Sequence, residues 1–298
     1  MNDEGSPQGR RLFELVERPD LESPALVVAL EGWIDAGFGA ATALTTITAQ
    51  SEFETVAVFD ADRLLDHRSR RPTLHLADGV NAGLSWPAIE LRATADRLGT
   101  EALFLVGAEP DHEWRAFSAA VVDLALEFGT RLVVGLGAYP AAVPHTRPTR
   151  VVCTATTREL AEQVGYLPGR IDVPAGAQAA IERACDEVGL PAVGLWAQVP
   201  HYAAAMPYPA AAEALLATLA RVADLSFDTG ELAAAAAETR ERIDALIAAN
   251  PEHVAMVRQL EEHLESLEAA ERGDLPSGEE LAAELERFLR DQGGDPTA

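Results

Sequence analysis

The chain contains no lysine; its 23 basic residues are all arginine. That absence excludes a P-loop lysine, a Schiff base, a pyridoxal-phosphate anchor and kinase-type phosphate chemistry. Any phosphate recognition falls to arginine and backbone amides. Cysteine is nearly missing too: only Cys153 and Cys185 occur, in a predicted strand and a predicted helix. Two isolated cysteines make neither a disulfide framework nor a zinc site, and both are expected in the core. No apolar run reaches the roughly 18 residues of a membrane span. The start, "MNDEGSPQGRR", lacks the basic-then-apolar order of a signal peptide, so a frayed tail and a cytoplasmic location are expected. Positive charge is scarce: the net charge is −25, which argues against nucleic acid and anionic membrane as partners. No nucleophile elbow, HExxH, Walker motif or metal-ligand pair is present. The sequence therefore assigns no catalytic residue, no metal and no cofactor, and weighs against an enzyme.

What is present is a regular alternation of elements. Strand candidates are "ALVVAL" (25–30), "TVAVFD" (55–60), "TLHLA" (73–77), "ALFLVGA" (102–108), "RLVVGLG" (131–137), "VVCTAT" (151–156) and "VGLWAQV" (193–199). Several are apolar throughout, as strands covered on both faces must be. Alanine-rich segments of helical length lie between them, most ending at glycine. The pattern predicts a three-layer α/β/α sandwich with a mixed, largely parallel sheet. Three domains are expected: a flexible tail over 1–20, an α/β/α core over 21–223, and a helical extension over 224–298. The extension carries 19 acidic residues against 6 arginines, about half the net charge. Its second helix, broken from the first at Asn250-Pro251, shows Met256, Leu260, Leu264 and Leu267 on one stripe. A last helix is predicted in "EELAAELERFLRD".

Ligand crevices of open α/β sheets lie beyond the carboxyl ends of the strands. Four segments there are rich in polar chemistry: "EGWIDAGFG" (31–39), "GAEPDHEW" (107–114), "GAYPAAVPHTRP" (137–148) and "QVPHYAAAMPYP" (198–209). The candidate ligand-binding set is Trp33, Asp35, Glu109, Trp114, His145, Arg147, His201 and Tyr202, with Asp111 and His112 beside it. In that role Arg147 clamps an anion, a tryptophan stacks a base, and Glu109 or Asp35 bonds a hydroxyl. Structural readings stand alongside. Asp35 and Asp111 suit helix caps, and Arg147 suits a buried ion pair with Glu109 or Asp35. Gly32, Gly37 and Gly39 could instead admit a phosphate to a helix N-terminus. His145 and His201 each follow Val-Pro, a pair that fixes local backbone geometry.

"GWIDAG", "GAEPDHEW", "VPHTRP" and "WAQVPHY", in this order and spacing over about residues 24–222, resemble the bacterial branch of the proteasome-assembly-chaperone family, second-subunit type. The resemblance implies an α/β/α sandwich similar to purine nucleoside phosphorylases and peptidyl-tRNA hydrolases. It also implies a homo-oligomer, a trimer on fold analogy, and a protein client such as proteasome subunits. Two features depart from the family's pattern. The chain ends "GGDPTA" rather than in a hydrophobic-tyrosine-any-residue docking tail. The phosphate-holding lysines of the ATP-grasp enzymes, to which relatives are sometimes compared, are absent. The function expected is thus a non-catalytic assembly chaperone or scaffold; the alternative is a nucleoside or anionic-metabolite site at the strand ends, with hydrolase- or phosphorylase-like chemistry.

Overall fold

The computed structural model describes residues 11–32 and 34–271. Its strands are β1 (Phe13–Leu15), β2 (Ala25–Glu31), β3 (Glu54–Phe59), β4 (Thr73–Ala77), β5 (Val80–Ser85), β6 (Ile89–Ala95), β7 (Glu101–Ala108), β8 (Leu132–Ala141), β9 (Val151–Ala155) and β10 (Ala192–Pro200). Its helices are α1 (Gly39–Thr48), α2 (Ala61–Leu64), α3 (Trp114–Glu127), α4 (Arg158–Val164), α5 (Ala177–Val188), α6 (Pro209–Ala223), α7 (Gly230–Ala248) and α8 (Pro251–Glu271).

Eight strands form one sheet in the order β1-β3-β6-β7-β2-β8-β10-β9. The central four, β7-β2-β8-β10, are parallel, and antiparallel strands complete both sides. These central strands are the ones apolar throughout, and they are buried along most of their length. Helices cover both faces. On β8, Gly135 lies under the Gln178 side chain of α5, whereas Ala138 meets Gly39 of α1, which also touches Ala211 of α6. Residues three apart in a strand face opposite ways, so α5 and the α1–α6 pair lie on opposite faces. Phe117, Val121 and Leu124 of α3 fill the core on the α5 side with Leu26, Leu103 and Leu105.

Three strands were not expected. β1 falls within the tail assigned to residues 1–20: Leu12 is buried and Phe13 stacks on Phe59, which suffices to seat a short edge strand. β6 is chemically mixed, since as an outer strand it alternates buried and half-buried residues. β5 pairs with β4 in a two-stranded hairpin separate from the main sheet. Asp78 and Gly79, both at positive φ, make its two-residue turn.

The described contacts divide the chain at Asp244 rather than Asp224. Residues after α6 are stapled to the core unit. Asp96 accepts the Ser226 amide, and Gln50 exchanges two hydrogen bonds with the Asp228 backbone. Leu232, Thr239 and Ile243 of α7 are buried. In α8, Asn250 caps the first turn through the Glu252 amide, just after the expected break. Val257 and Leu264 are its buried residues, Leu260 is half-buried, and Leu267 is exposed, so the apolar stripe is shorter than expected. The last predicted helix lies outside the described residues.

Candidate functional site

The four strand-end corners interlock. Asp35 bridges Ala138, joining the first corner to the third. Gly37 donates its amide to Ala204 O (2.8 Å) and accepts from the Tyr208 amide (2.9 Å), joining the first to the fourth. Only glycine fits there, because its φ is +62° and a Cβ would lie 2.6 Å from Tyr208 Cβ. Phe38 follows in the left-handed region (φ 54°) with its side chain half in solvent.

Asp35 accepts hydrogen bonds from the amides of Ala40 (2.8 Å) and Ala41 (3.0 Å). Burial raises its pKa, and the amides oppose that rise. The capping reading therefore describes its contacts. It also occupies the amides that a phosphate at this helix start would need, so the glycine-rich turn does not serve as the phosphate site weighed above.

Glu109, at the end of β7, is buried at 8 % exposure and accepts the Ala177 amide at 2.6 Å. It thereby fills the first amide of α5, while its own amide bonds Glu31 O. Both helix N-termini at this edge, α1 and α5, thus carry one of the chain's own carboxylates.

The rest of "EPDHEW" is tied chiefly to residues 63–70, on and after α2. Asp111 accepts the Asp66 amide (2.8 Å) and Arg70 Nε (3.2 Å), so it anchors the segment after α2 instead of capping α3. Glu113, also at positive φ, bonds Arg63, and Trp114 Nε1 donates to Pro110 O. His112 is exposed.

His145 is the most committed residue. It is 3 % exposed, and three hydrogen bonds hold it. Its backbone amide donates to Tyr202 Oη (2.8 Å), Nδ1 lies 2.7 Å from the same oxygen, and Nε2 lies 2.9 Å from Asp244 of α7. An ionised carboxylate only accepts, so Nε2 carries the proton. In the neutral ring Nδ1 then accepts the phenolic proton of Tyr202, whose oxygen receives the amide. Arg240 adds a bond to Thr146 O (2.9 Å). The Val-Pro-His corners are thus joined to each other and to α7. Arg147 and His201 are exposed. Trp33 lies outside the described residues.

Sequence reasoning missed Asp244, which is 99 residues from His145, and Arg63 and Arg70, which hold the second corner. Arginines in "RLLDHRSRR" were the one available signal. No group of three or more potential metal ligands occurs among the described residues. Cys153 and Cys185 are free and buried. Burial, with Glu182 nearby, pushes their thiols up to about 11 and about 12, far from the thiolate a nucleophile requires.

Fold and corners together define a three-layer α/β/α protein whose strand-end corners are tied together by their own polar groups. The PAC2 family pattern matches residues 29–247, and the chain belongs to that family. A Mycobacterium tuberculosis protein of unknown function, Rv2714, is 37 % identical, with a TM-score of 0.79 over 91 % of this chain and 95 % of its own. One from Corynebacterium glutamicum, also of unknown function, is 33 % identical, with a TM-score of 0.81 over 88 % and 99 %. The M. tuberculosis proteasome-assembly chaperone homologue Rv2125 is 32 % identical, with a TM-score of 0.72 over 78 % and 99 %. No curated protein matches.

Proposed function

We propose that this chain is a non-catalytic, cytoplasmic assembly chaperone or scaffold that self-associates and acts on proteasome subunits. Family membership carries the reading, because the relative Rv2125 is a proteasome-assembly chaperone homologue. The site supports it: Asp35, Glu109, Asp111, Glu113 and His145 are engaged in bonds that hold the fold. The β4–β5 hairpin, by contrast, exposes Leu74, Leu76, Val80, Leu84 and the adjoining Trp86. Leu74 and Leu84 face each other across the ladder. A lone two-stranded hairpin is marginal in water, so this apolar face suits burial between copies of the chain, a trimer on fold analogy. Pull-down of the tagged full chain should recover proteasome α subunits, and α-rings should assemble less well in a deletion strain. Normal assembly there refutes the proteasome client. Leu74→Asp with Leu84→Asp should shift the oligomer to monomer in light scattering; an unchanged mass refutes the hairpin interface.

A second reading, a small-molecule site formed by Trp33, Asp35, Glu109, Trp114, His145, Arg147, His201 and Tyr202, draws support from Phe38. An aromatic held left-handed and half exposed at the crevice edge is costly, and such strain clusters at binding sites. A thermal-shift screen of nucleosides and anionic metabolites tests it: a ligand at 100 times its Kd adds about 2.7 kcal/mol. Shifts that persist in Arg147→Ala refute the anion clamp.

A further inference from the structure

Gly135 of β8 and Gly194 of β10 are partners in the parallel ladder, which leaves a bare patch in the sheet under α5. Gln178 and Glu182 stand one helical turn apart on α5 and enter this patch. A Cβ at Gly135 would lie 2.1 Å from Gln178 Nε2. One at Gly194 would lie 2.7 Å from Thr154 Oγ1, 2.8 Å from Gln178 Nε2 and 3.1 Å from Glu182 Oε2. Three polar groups from two elements therefore converge where two side chains are missing. Thr154 donates to Glu182 (2.7 Å). Gln178 Nε2 is buried, and no protein atom accepts from it. Beside these groups is a cavity of about 10 Å³, floored by Val28, Val133 and Ile181.

From this geometry we propose that the cavity is a specific water site, in which one water accepts from the Gln178 amide and donates to the Glu182 carboxyl. The volume is about that of a single water site. The chemistry selects the ligand. A cation is opposed by the inward amide N–H and an anion by the carboxyl, whereas water satisfies both. With the amide's N and O exchanged, both groups accept, and one water donating to each still satisfies them. Burial raises the pKa of Glu182, with the Thr154 hydroxyl opposing the rise. Its titratable neighbours are Cys153 of the adjoining β9 and Cys185 of α5 itself. A water bonded to the carboxyl would ease its ionisation.

The first test is a crystal structure of the full chain at about 1.5 Å, a resolution at which ordered waters are placed directly. Density for one water within hydrogen-bond reach of both side chains is expected. A dry cavity, or a direct Gln178–Glu182 bond, overturns the proposal. The second test follows the Glu182 carboxyl by carbon NMR in the wild type and in Gln178→Leu. Loss of the water should raise its titration midpoint by about half a pH unit or more, the equivalent of one neutral hydrogen bond. An unchanged midpoint in a folded variant overturns the link. The wild-type structure decides the matter if that variant does not fold.

Discussion

Replacing Tyr202 by phenylalanine deletes one oxygen that serves two partners. In the wild type that oxygen accepts the His145 amide at 2.8 Å and stands 2.7 Å from Nδ1 of the same residue. The ring stays, so packing against His145, an edge-on contact with centroids 5.7 Å apart, is largely preserved. What changes is that a buried N–H and a buried ring nitrogen lose their partner together. Each unsatisfied buried polar group costs about 1–3 kcal/mol, and the two sit close enough to share any relief, so a loss of roughly 2–4 kcal/mol is expected. At about 2–4 °C per kcal/mol for a chain of this size, Tm should fall by roughly 5–15 °C. Urea unfolding at neutral pH, followed by circular dichroism, measures it. Asp244→Asn should cost less, since Asp244 is 54 % exposed and water can replace it at Nε2. The tautomer supplies an independent readout: nitrogen NMR of wild-type His145 should show a protonated Nε2 and an accepting Nδ1. A Tyr202→Phe variant within about 0.5 kcal/mol of wild type, inside the usual range of neutral surface changes, refutes the clasp.

Glu182 has a raised pKa, so ionising it costs more in the fold than in the unfolded chain. Stability that it permits at low pH should be lost as pH rises above the unfolded value of 4.5. Glu182→Gln, which keeps an acceptor for Thr154, should flatten that decline; identical pH profiles of Tm would contradict it. Gly107→Ala should cost roughly 3 kcal/mol or more, because φ is +110° and the new Cβ would lie 2.0 Å from the Ala88 carbonyl oxygen, a backbone atom that cannot swing aside. Wild-type melting would contradict that geometry. At Phe38, glycine relieves the left-handed backbone and valine aggravates it, so Phe38→Gly should exceed Phe38→Val in stability by about 1 kcal/mol or more. Equal denaturation midpoints would mean that the backbone there is unstrained.

The legible elements were those whose burial is uniform. "ALVVAL", "ALFLVGA", "RLVVGLG" and "VGLWAQV" became the parallel centre of the sheet, because a strand covered by helices on both sides must be apolar at every position. Elements at the margins escaped for the opposite reason. β1 is three residues long and needs only Leu12 and Phe13 to seat it, while β6 carries Glu90 and Arg92, a bonded pair that serves its half-solvated face. "TLHLA" is legible as a strand and forms β4. Its place outside the main sheet depends on Asp78-Gly79, whose turn sends the chain straight back along it.

Polar residues beyond the strand ends are legible in the sequence, but what they hold is not, and the cause is geometric. A carboxylate beyond a strand looks the same in sequence whether it faces a ligand or a helix amide. Glu109 meets Ala177 from 68 residues away, and His145 meets Asp244 from 99. Only the packing of α5 and α7 decides between those roles. The decision has an energetic consequence for anion binding. A carboxylate at a helix N-terminus both stabilises the helix and repels a second anion, so Asp35 and Glu109 disfavour phosphate at α1 and α5. Among the described residues of the four corners, Phe38, His112, Arg147 and His201 are exposed. The β4–β5 hairpin differs from this edge in kind, since its apolar surface is exposed and little of it is spent on the fold.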